Sequence, residues 1–224
     1  MFQWVTYGVV QVTSKTALAL CSLWVSVASA EQVTVLALGD SLTQGYGLPL
    51  EQGFVPQLEG ALRAAGHDVT VINGGVSGDT TAGGLARVAW SLTPDVDAMI
   101  VNLGGNDLLR GIAPEVARSN IRGILEVAAE QDVDVLLVGM QAPGNYGPDY
   151  KAAFEAIFPD LAEEFETGFV DSYFAGTLDA AGGRLAEAAR YFQPDGIHPS
   201  AEGVRLNVAA MVPKVEALLK RVGN

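Results

Sequence analysis

Histidine is scarce in this 224-residue sequence: there are two, His67 and His198. His198 stands three residues after Asp195 in Asp195-Gly196-Ile197-His198-Pro199, a turn marked by glycine and proline. A carboxylate at that spacing can fold back and accept from the imidazole Nδ1, leaving Nε2 free to take a proton. The hydroxyl best placed to give that proton is Ser41. It follows the apolar run 33–38 in Gly39-Asp40-Ser41-Leu42, and open α/β sheets put their chemistry at the carboxyl ends of their strands. A serine hydroxyl is a weak nucleophile alone; it needs a base, a group to orient the base, and donors for an oxyanion. Taken alone, the Asp195–His198 pair reads equally well as a turn held by its own carboxylate. His67 follows Gly66 between a helix and a strand and reads as a solvated loop residue.

Oxyanion donors are found at other strand ends. Gly78, in Asn73-Gly74-Gly75-Val76-Ser77-Gly78, can offer a backbone N–H with no side chain in the way. Asn106, in Gly104-Gly105-Asn106-Asp107, offers a side-chain amide, and the Ser41 N–H is a third candidate. Each is an ordinary turn residue if its string stands alone. Ser77 is demoted as a nucleophile because Asp79 occupies the last position of what would be Gly-x-Ser-x-Gly. No glycine-rich phosphate loop follows the first strand, and no cluster has metal-ligand spacing, so neither cofactor nor metal is expected. Asp40, beside Ser41, is expected to support the turn. Leu42, Tyr46, Leu109 and Tyr146 flank the strand ends and are the candidate walls of a substrate pocket.

The elements that must position these residues alternate. Strands are predicted at 33–38, 69–72, 98–103, 133–139 and 168–171, from short apolar runs. Helices are predicted between them: from Phe54 to Ala65 closed by Gly66, over 80–91 capped by Asp79 or Thr80, from Pro114, and over 149–166 with an interruption or bend near Pro159. A last helix starts after Ser200, with a kink at Pro213, and buries Val204, Val208, Met211, Val215, Leu218 and Leu219. Alternating strands and helices mean an α/β fold with a parallel sheet covered on both faces. The stretch 172–199 shows no clear element and reads as a functional or mobile loop.

The first thirty residues read differently. Lys15 precedes the apolar stretch 16–27, followed by Ala28-Ser29-Ala30 and polar Glu31-Gln32. That is the pattern of a secretory leader cleaved after Ala30, and its apolar core is too short to span a bilayer well. The segment 1–14 carries no positive charge, which is unusual in a leader. The expected organisation is a signal peptide over 1–30 and one domain over 31–224, periplasmic or secreted, with no stable membrane association after cleavage. Cys21, the only cysteine, would leave with the leader, and so would Lys15, taking the net charge from −13 to −14. That charge argues against nucleic acid or an anionic membrane as a standing partner.

Together, Gly39-Asp40-Ser41-Leu42, Gly78, Gly104-Gly105-Asn106-Asp107 and Asp195-Gly196-Ile197-His198-Pro199 resemble the four blocks of the SGNH, or GDSL, hydrolases, in order and spacing across nearly all of the chain after residue 30. Val76-Ser77-Gly78-Asp79-Thr80-Thr81-Ala82-Gly83-Gly84-Leu85 and Pro143-Gly144-Asn145-Tyr146-Gly147-Pro148-Asp149-Tyr150 are similar to the periplasmic arylesterase, thioesterase I and lysophospholipase L1 subgroup, which usually has Glu where Asp79 stands. The resemblance implies a flavodoxin-like, three-layer α/β/α fold with a five-stranded parallel sheet in the order 2-1-3-4-5. It implies Ser41 as nucleophile, His198 as base, Asp195 as its orienter, and an oxyanion hole made by the Ser41 N–H, the Gly78 N–H and the Asn106 side chain. The implied activity is hydrolysis of small-molecule acyl esters and thioesters through an acyl-enzyme. The alternatives are a carbohydrate O-deacetylase of the same fold and a non-catalytic ligand-binding module. The segment 178–192 is unlike the subgroup, so substrate specificity carries over poorly.

Overall fold

The computed structural model describes residues 1–4, 6, 8 and 32–222. The expected leader core over 16–27 and the cleavage position after Ala30 lie outside the described residues. The predicted apolar runs become five strands: β1 (Val33–Gly39), β2 (Val69–Gly75), β3 (Ala98–Asn102), β4 (Asp134–Val138) and β5 (Gly168–Val170). They pair in parallel in the order β2-β1-β3-β4-β5, as expected. In β1, Val35, Leu36, Ala37 and Leu38 are all buried, as is every residue of β3. Strands without polar alternation need cover on both faces.

Ten helices supply the cover and the connections among the described residues. In chain order they are α1 (Ser41–Gln44), α2 (Phe54–Ala64), α3 (Thr81–Ser91), α4 (Gly105–Arg110), α5 (Pro114–Glu130), α6 (Pro148–Glu155), α7 (Ile157–Glu164), α8 (Ala175–Ala180), α9 (Leu185–Ala188) and α10 (Ala201–Val222). On one side of the sheet α2 packs against α10, with α8 beside it; on the other α3 packs against α5, with α6 and α7 beyond. Phe54, Leu58 and Leu62, four residues apart, turn one face of α2 fully inward.

Two local expectations need correction. β2 runs on through Asn73-Gly74-Gly75, because that string continues the ladder with Ala37, Leu38 and Gly39. The interruption expected near Pro159 in the helix over 149–166 falls at Ala156, dividing it into α6 and α7. Proline has no N–H to give the carbonyl four residues back, so the interruption falls one turn upstream of the ring. Pro213 lies inside α10, as expected, and the buried stripe continues through Met211 and Val215 on either side of it. The stretch 172–199 is no bare loop: it holds α8, α9 and a 3₁₀ turn over Ala189–Tyr191.

The register places the chemistry. Gly39 is level with Gly75 of β2 and Asn102 of β3, so the segments leaving all three strands start side by side. α1 lies directly on the end of β2: a Cβ at Gly75 would collide with the Gln44 backbone nitrogen and the Thr43 carbonyl carbon. Gly75→Ala should therefore push α1 outward and lower stability by about 1–3 kcal/mol, the usual range for overpacking. Chemical denaturation checks this, and a wild-type midpoint would refute the close approach.

Candidate active site

Ser41 is the first residue of α1. The chain turns back sharply over the strand end, since a Cβ at Gly39 would overlap the Thr43 side chain. Asp40 caps the helix, its Oδ1 accepting the Leu42 N–H at 3.0 Å. The Ser41 N–H, in the first turn of a helix, has no intrahelical acceptor. Asn102 of β3 donates from Nδ2 to Thr43 Oγ1 at 3.3 Å and ties α1 to the sheet.

The turn before α10 brings the base to the serine. His198 Nε2 lies 2.9 Å from Ser41 Oγ, and His198 Nδ1 lies 2.7 Å from Asp195 Oδ2. The other oxygen, Oδ1, accepts the backbone N–H groups of Ile197 at 2.9 Å and His198 at 3.0 Å. Three donors on one carboxylate favour its ionised form. The His198 N–H, then the imidazole, then the Ile197 N–H hold Asp195 down at about 2. Gln193 fastens this turn to the nucleophile loop: its N–H donates to the His198 carbonyl at 2.7 Å, and its Nε2 to the Tyr46 and Pro199 carbonyls at 2.8 and 3.0 Å. The Tyr46 ring then lies 4.6 Å from the imidazole, centroid to centroid.

The remaining candidate donors converge from the ends of β2 and β3. Gly78 sits at φ +84°, a left-handed position that a side chain would strain. Its carbonyl accepts from Arg110 Nη2 at 2.8 Å. Asn106, in the first turn of α4, donates from Nδ2 to Asp40 Oδ2 at 3.2 Å. Next to it, fully buried Asp107 accepts both the N–H and the hydroxyl of Thr81, at 2.8 and 2.7 Å. That carboxylate caps α3 and clamps the Gly78 segment to α4. Arg87 of α3 completes the frame, donating from Nε to Asp79 at 2.7 Å and from Nη2 to the Gly39 carbonyl at 2.8 Å. Asp40 is only 2 % exposed, and burial pushes its carboxyl up to about 6, against the pull of Leu42, Asn106 and His198.

Ser41, Gly78, Asn106 and His198 open together onto a cleft of about 370 Å³. Leu42, Tyr46, Leu109 and Tyr146 all line it, and Met140, Phe174 and Ile197 join them. A second hollow, of about 570 Å³, shares Leu109, Pro143, Phe174 and Ile197 with the first and continues beneath α8 and α9. Asp195 lies outside the cleft, behind the imidazole it orients. Ser77 is committed elsewhere, its hydroxyl donating to Gln44 Oε1. His67 pairs with Glu216 of α10 at 3.1 Å rather than standing free in solvent. Among the described residues no group of three or more His, Cys, Asp or Glu could hold a metal ion.

Residues 37–206 match the model of the GDSL-like Lipase/Acylhydrolase family. The chain belongs to this family. It is 39 % identical over 168 residues to the esterase TesA of Pseudomonas aeruginosa, covering 75 % of this chain and 80 % of that protein. It is 33 % identical to the thioesterase 1/protease 1/lysophospholipase L1 of Escherichia coli K12, with 75 % and 76 % covered. Among solved structures, AlinE4, described as an SGNH-hydrolase family esterase, is 42 % identical with a TM-score of 0.67, covering 84 % of this chain and 97 % of that one.

Within this GDSL acylhydrolase, sequence reasoning missed two residues, Phe174 and Gln193, and one contact of a third, Tyr46. Tyr46 was a candidate wall but also packs on the base. Phe174 belongs to the stretch that showed no element. Gln193 carried no motif at all, and only the tertiary path of 192–199 back past Tyr46 reveals it. The pH dependence of the Asp195 turn has a definite sign. The unfolded carboxyl takes up its proton near 3.8 and the folded one near 2, so the unfolded state binds more protons in that window. The stabilisation is complete above that range and is lost as pH falls toward 2. Asp195→Asn should flatten the denaturation midpoint against pH between about 4 and 2; an unchanged slope there would refute the assignment.

Proposed function

We propose that the chain hydrolyses carboxylic esters and thioesters of acyl chains through an acyl-enzyme on Ser41. The supporting observation is the unbroken line of hydrogen bonds Ser41–His198–Asp195, opening on a cleft with amide donors on its far side. Ser41 Oγ attacks the acyl carbonyl carbon while His198 Nε2 takes its proton, and Asp195 holds the imidazole in the tautomer that leaves Nε2 free. The carbonyl oxygen becomes an oxyanion facing the Ser41 N–H, the Gly78 N–H and the Asn106 amide. His198 then gives its proton to the departing alcohol; a thiolate leaves without depending on that transfer. Water, deprotonated by the same imidazole, attacks the acyl-serine, and the collapse of the second tetrahedral intermediate releases the acid.

The walls favour acyl chains over acetylated sugar. Leu42, Leu108, Leu109, Met140, Phe174 and Ile197 offer apolar contact, and the adjoining hollow extends it. Sugar hydroxyls need polar partners that these side chains do not supply. This agrees with the thioesterase and lysophospholipase names carried by the E. coli relative. We infer further that residues 1–30 are removed as a leader and that the domain 31–224 acts in the periplasm or outside the cell. The Ala28-Ser29-Ala30 pattern supports this. No helix among the described residues is long and apolar enough to cross a membrane.

A fluorophosphonate that labels serine hydrolases should modify the wild type and not Ser41→Ala; equal labelling of both would sink the reading. Asn106→Ala should keep the fold and lose about 10²–10³ in kcat, the usual cost of one oxyanion donor. On a panel of aryl and acyl esters of increasing chain length set against an acetylated sugar, kcat/KM should rise with the acyl chain. The sugar being the best substrate would favour the deacetylase instead.

A further inference from the structure

The acyl-transfer scheme leaves one buried ionisable group beside the nucleophile without a task. Asp40 divides its two oxygens: Oδ1 takes the Leu42 N–H at 3.0 Å and Oδ2 takes Asn106 Nδ2 at 3.2 Å. The first bond holds the turn from which the Ser41 N–H projects. The second fixes an amide. An ionised carboxylate only accepts, so it selects the orientation in which the Asn106 nitrogen, not its oxygen, faces Asp40. That nitrogen carries two hydrogens. With one committed to Asp40 and the amide planar, the direction of the other is set, and Asn106 lines the cleft. The carboxylate has little freedom of its own, for Asp40 is buried and a Cβ at Gly105 would come within 3.3 Å of Oδ2.

We propose that Asp40 is the positioning residue of the oxyanion hole, one carboxylate setting both the Ser41 N–H and the Asn106 amide while it is ionised. This rests on the acyl-transfer reading of Ser41 and Asn106. Three titratable groups face Asp40 from the elements packed around it: His198 from the catalytic turn, Asp107 from α4, and Tyr173 from the segment after β5. His198 favours the charged form and Asp107 opposes it. The Tyr173 hydroxyl is buried with no hydrogen-bond partner among the described residues, so it does not compete with Asn106 for Oδ2. On protonation, near 6, one Asp40 oxygen becomes a donor. The hydroxyl oxygen of the neutral acid is a much weaker acceptor than a carboxylate oxygen, so one of the two N–H groups is held less firmly and the hole loses a fixed donor.

The test is a double-mutant cycle. Asp40→Ser keeps a good helix cap for α1 but is too short to reach Asn106. Asp40→Asn keeps the shape but sets an N–H against an N–H at one of the two contacts, and carries the test if Asp40→Ser does not fold. On an aryl ester, either variant should lower kcat by about 10- to 100-fold with KM within about twofold, since the lost interaction acts in the transition state. In the Asn106→Ala background the same change should add less than about twofold. In the acid limb of log kcat/KM the wild type should show a drop of about 10- to 100-fold centred near pH 6 that the Asp40 variants lack. Equal losses in both backgrounds, an unchanged kcat, or an acid limb that Asp40 does not alter would each overturn the proposal. Near-wild-type turnover in Asn106→Ala alone would instead remove the oxyanion reading on which it rests.

Discussion

β1 is hydrogen-bonded on both edges and buried on both faces, and the arrangement of the site depends on that. From Val35 to Gly39 every residue has a partner in β2 and another in β3. Such a strand cannot slide without breaking two ladders at once, and a slip by one residue would turn its inward side chains to the opposite face. The level of Gly39 is therefore fixed by backbone geometry, and with it the place where Asp40 and Ser41 emerge. The Gly78 segment and α4 leave strands in register with that point. Their donors are in place before a substrate arrives, which is the condition under which oxyanion donors are most effective.

The two carboxylates around Ser41 are held in contrasting ways. Asp195 keeps contact with solvent and gathers three N–H groups, so its charge is stabilised and it can face an imidazolium throughout turnover. Asp40 is shut in behind the nucleophile with two N–H donors, and loss of hydration raises its carboxyl. Environments that push two like groups in opposite directions commonly mark different roles in one site. Here the exposed carboxylate is bonded to the His198 imidazole, and the buried one to the Leu42 N–H and the Asn106 amide. Deeper still, Asp107 makes no contact with the base, and its bonds to Thr81 lock together the two segments that carry Gly78 and Asn106.

Much of this was legible because the relevant strings are short, polar and attached to strand ends whose apolar runs admit one reading. Five such runs separated by amphipathic stretches determine a parallel sheet, and the sheet brings Ser41, Gly78 and Asn106 to one edge whatever the loops do. The Asp195–His198 pairing is local enough to read from spacing. The unread parts are those where tertiary contact overrides local signal. α1 and α4 are single turns that exist because Asp40 caps one and Gly104, left-handed at φ +119°, starts the other. Neither carries enough apolar periodicity to be recognised. The stretch 172–199 looked structureless because its helices are short, yet Gly176 lets α8 lie against the α10 backbone so closely that a Cβ would overlap the Leu206 carbonyl. Gln193 bonds to Tyr46, 147 residues away in sequence, and no pattern encodes that pairing.

The division between sheet and loops also separates what reacts from what is recognised. The reacting groups hang on β1, β2, β3 and one turn stapled to them. The walls come from elsewhere: Leu109 from the end of α4, Tyr146 from the connection into α6, Phe174 from the segment after β5, Ile197 from the tip of the catalytic turn. Leu109, Tyr146 and Ile197 are all substantially exposed, so their packing contributes little to the core and their identity is not dictated by it. Large apolar side chains gathered at the rim of a polar site point to an apolar partner, and the cleft they border is where that partner enters. Tyr146 and Phe174 stand on connections that carry none of the groups around Ser41, so changes there reshape the cleft without moving Ser41 relative to His198 or Asn106.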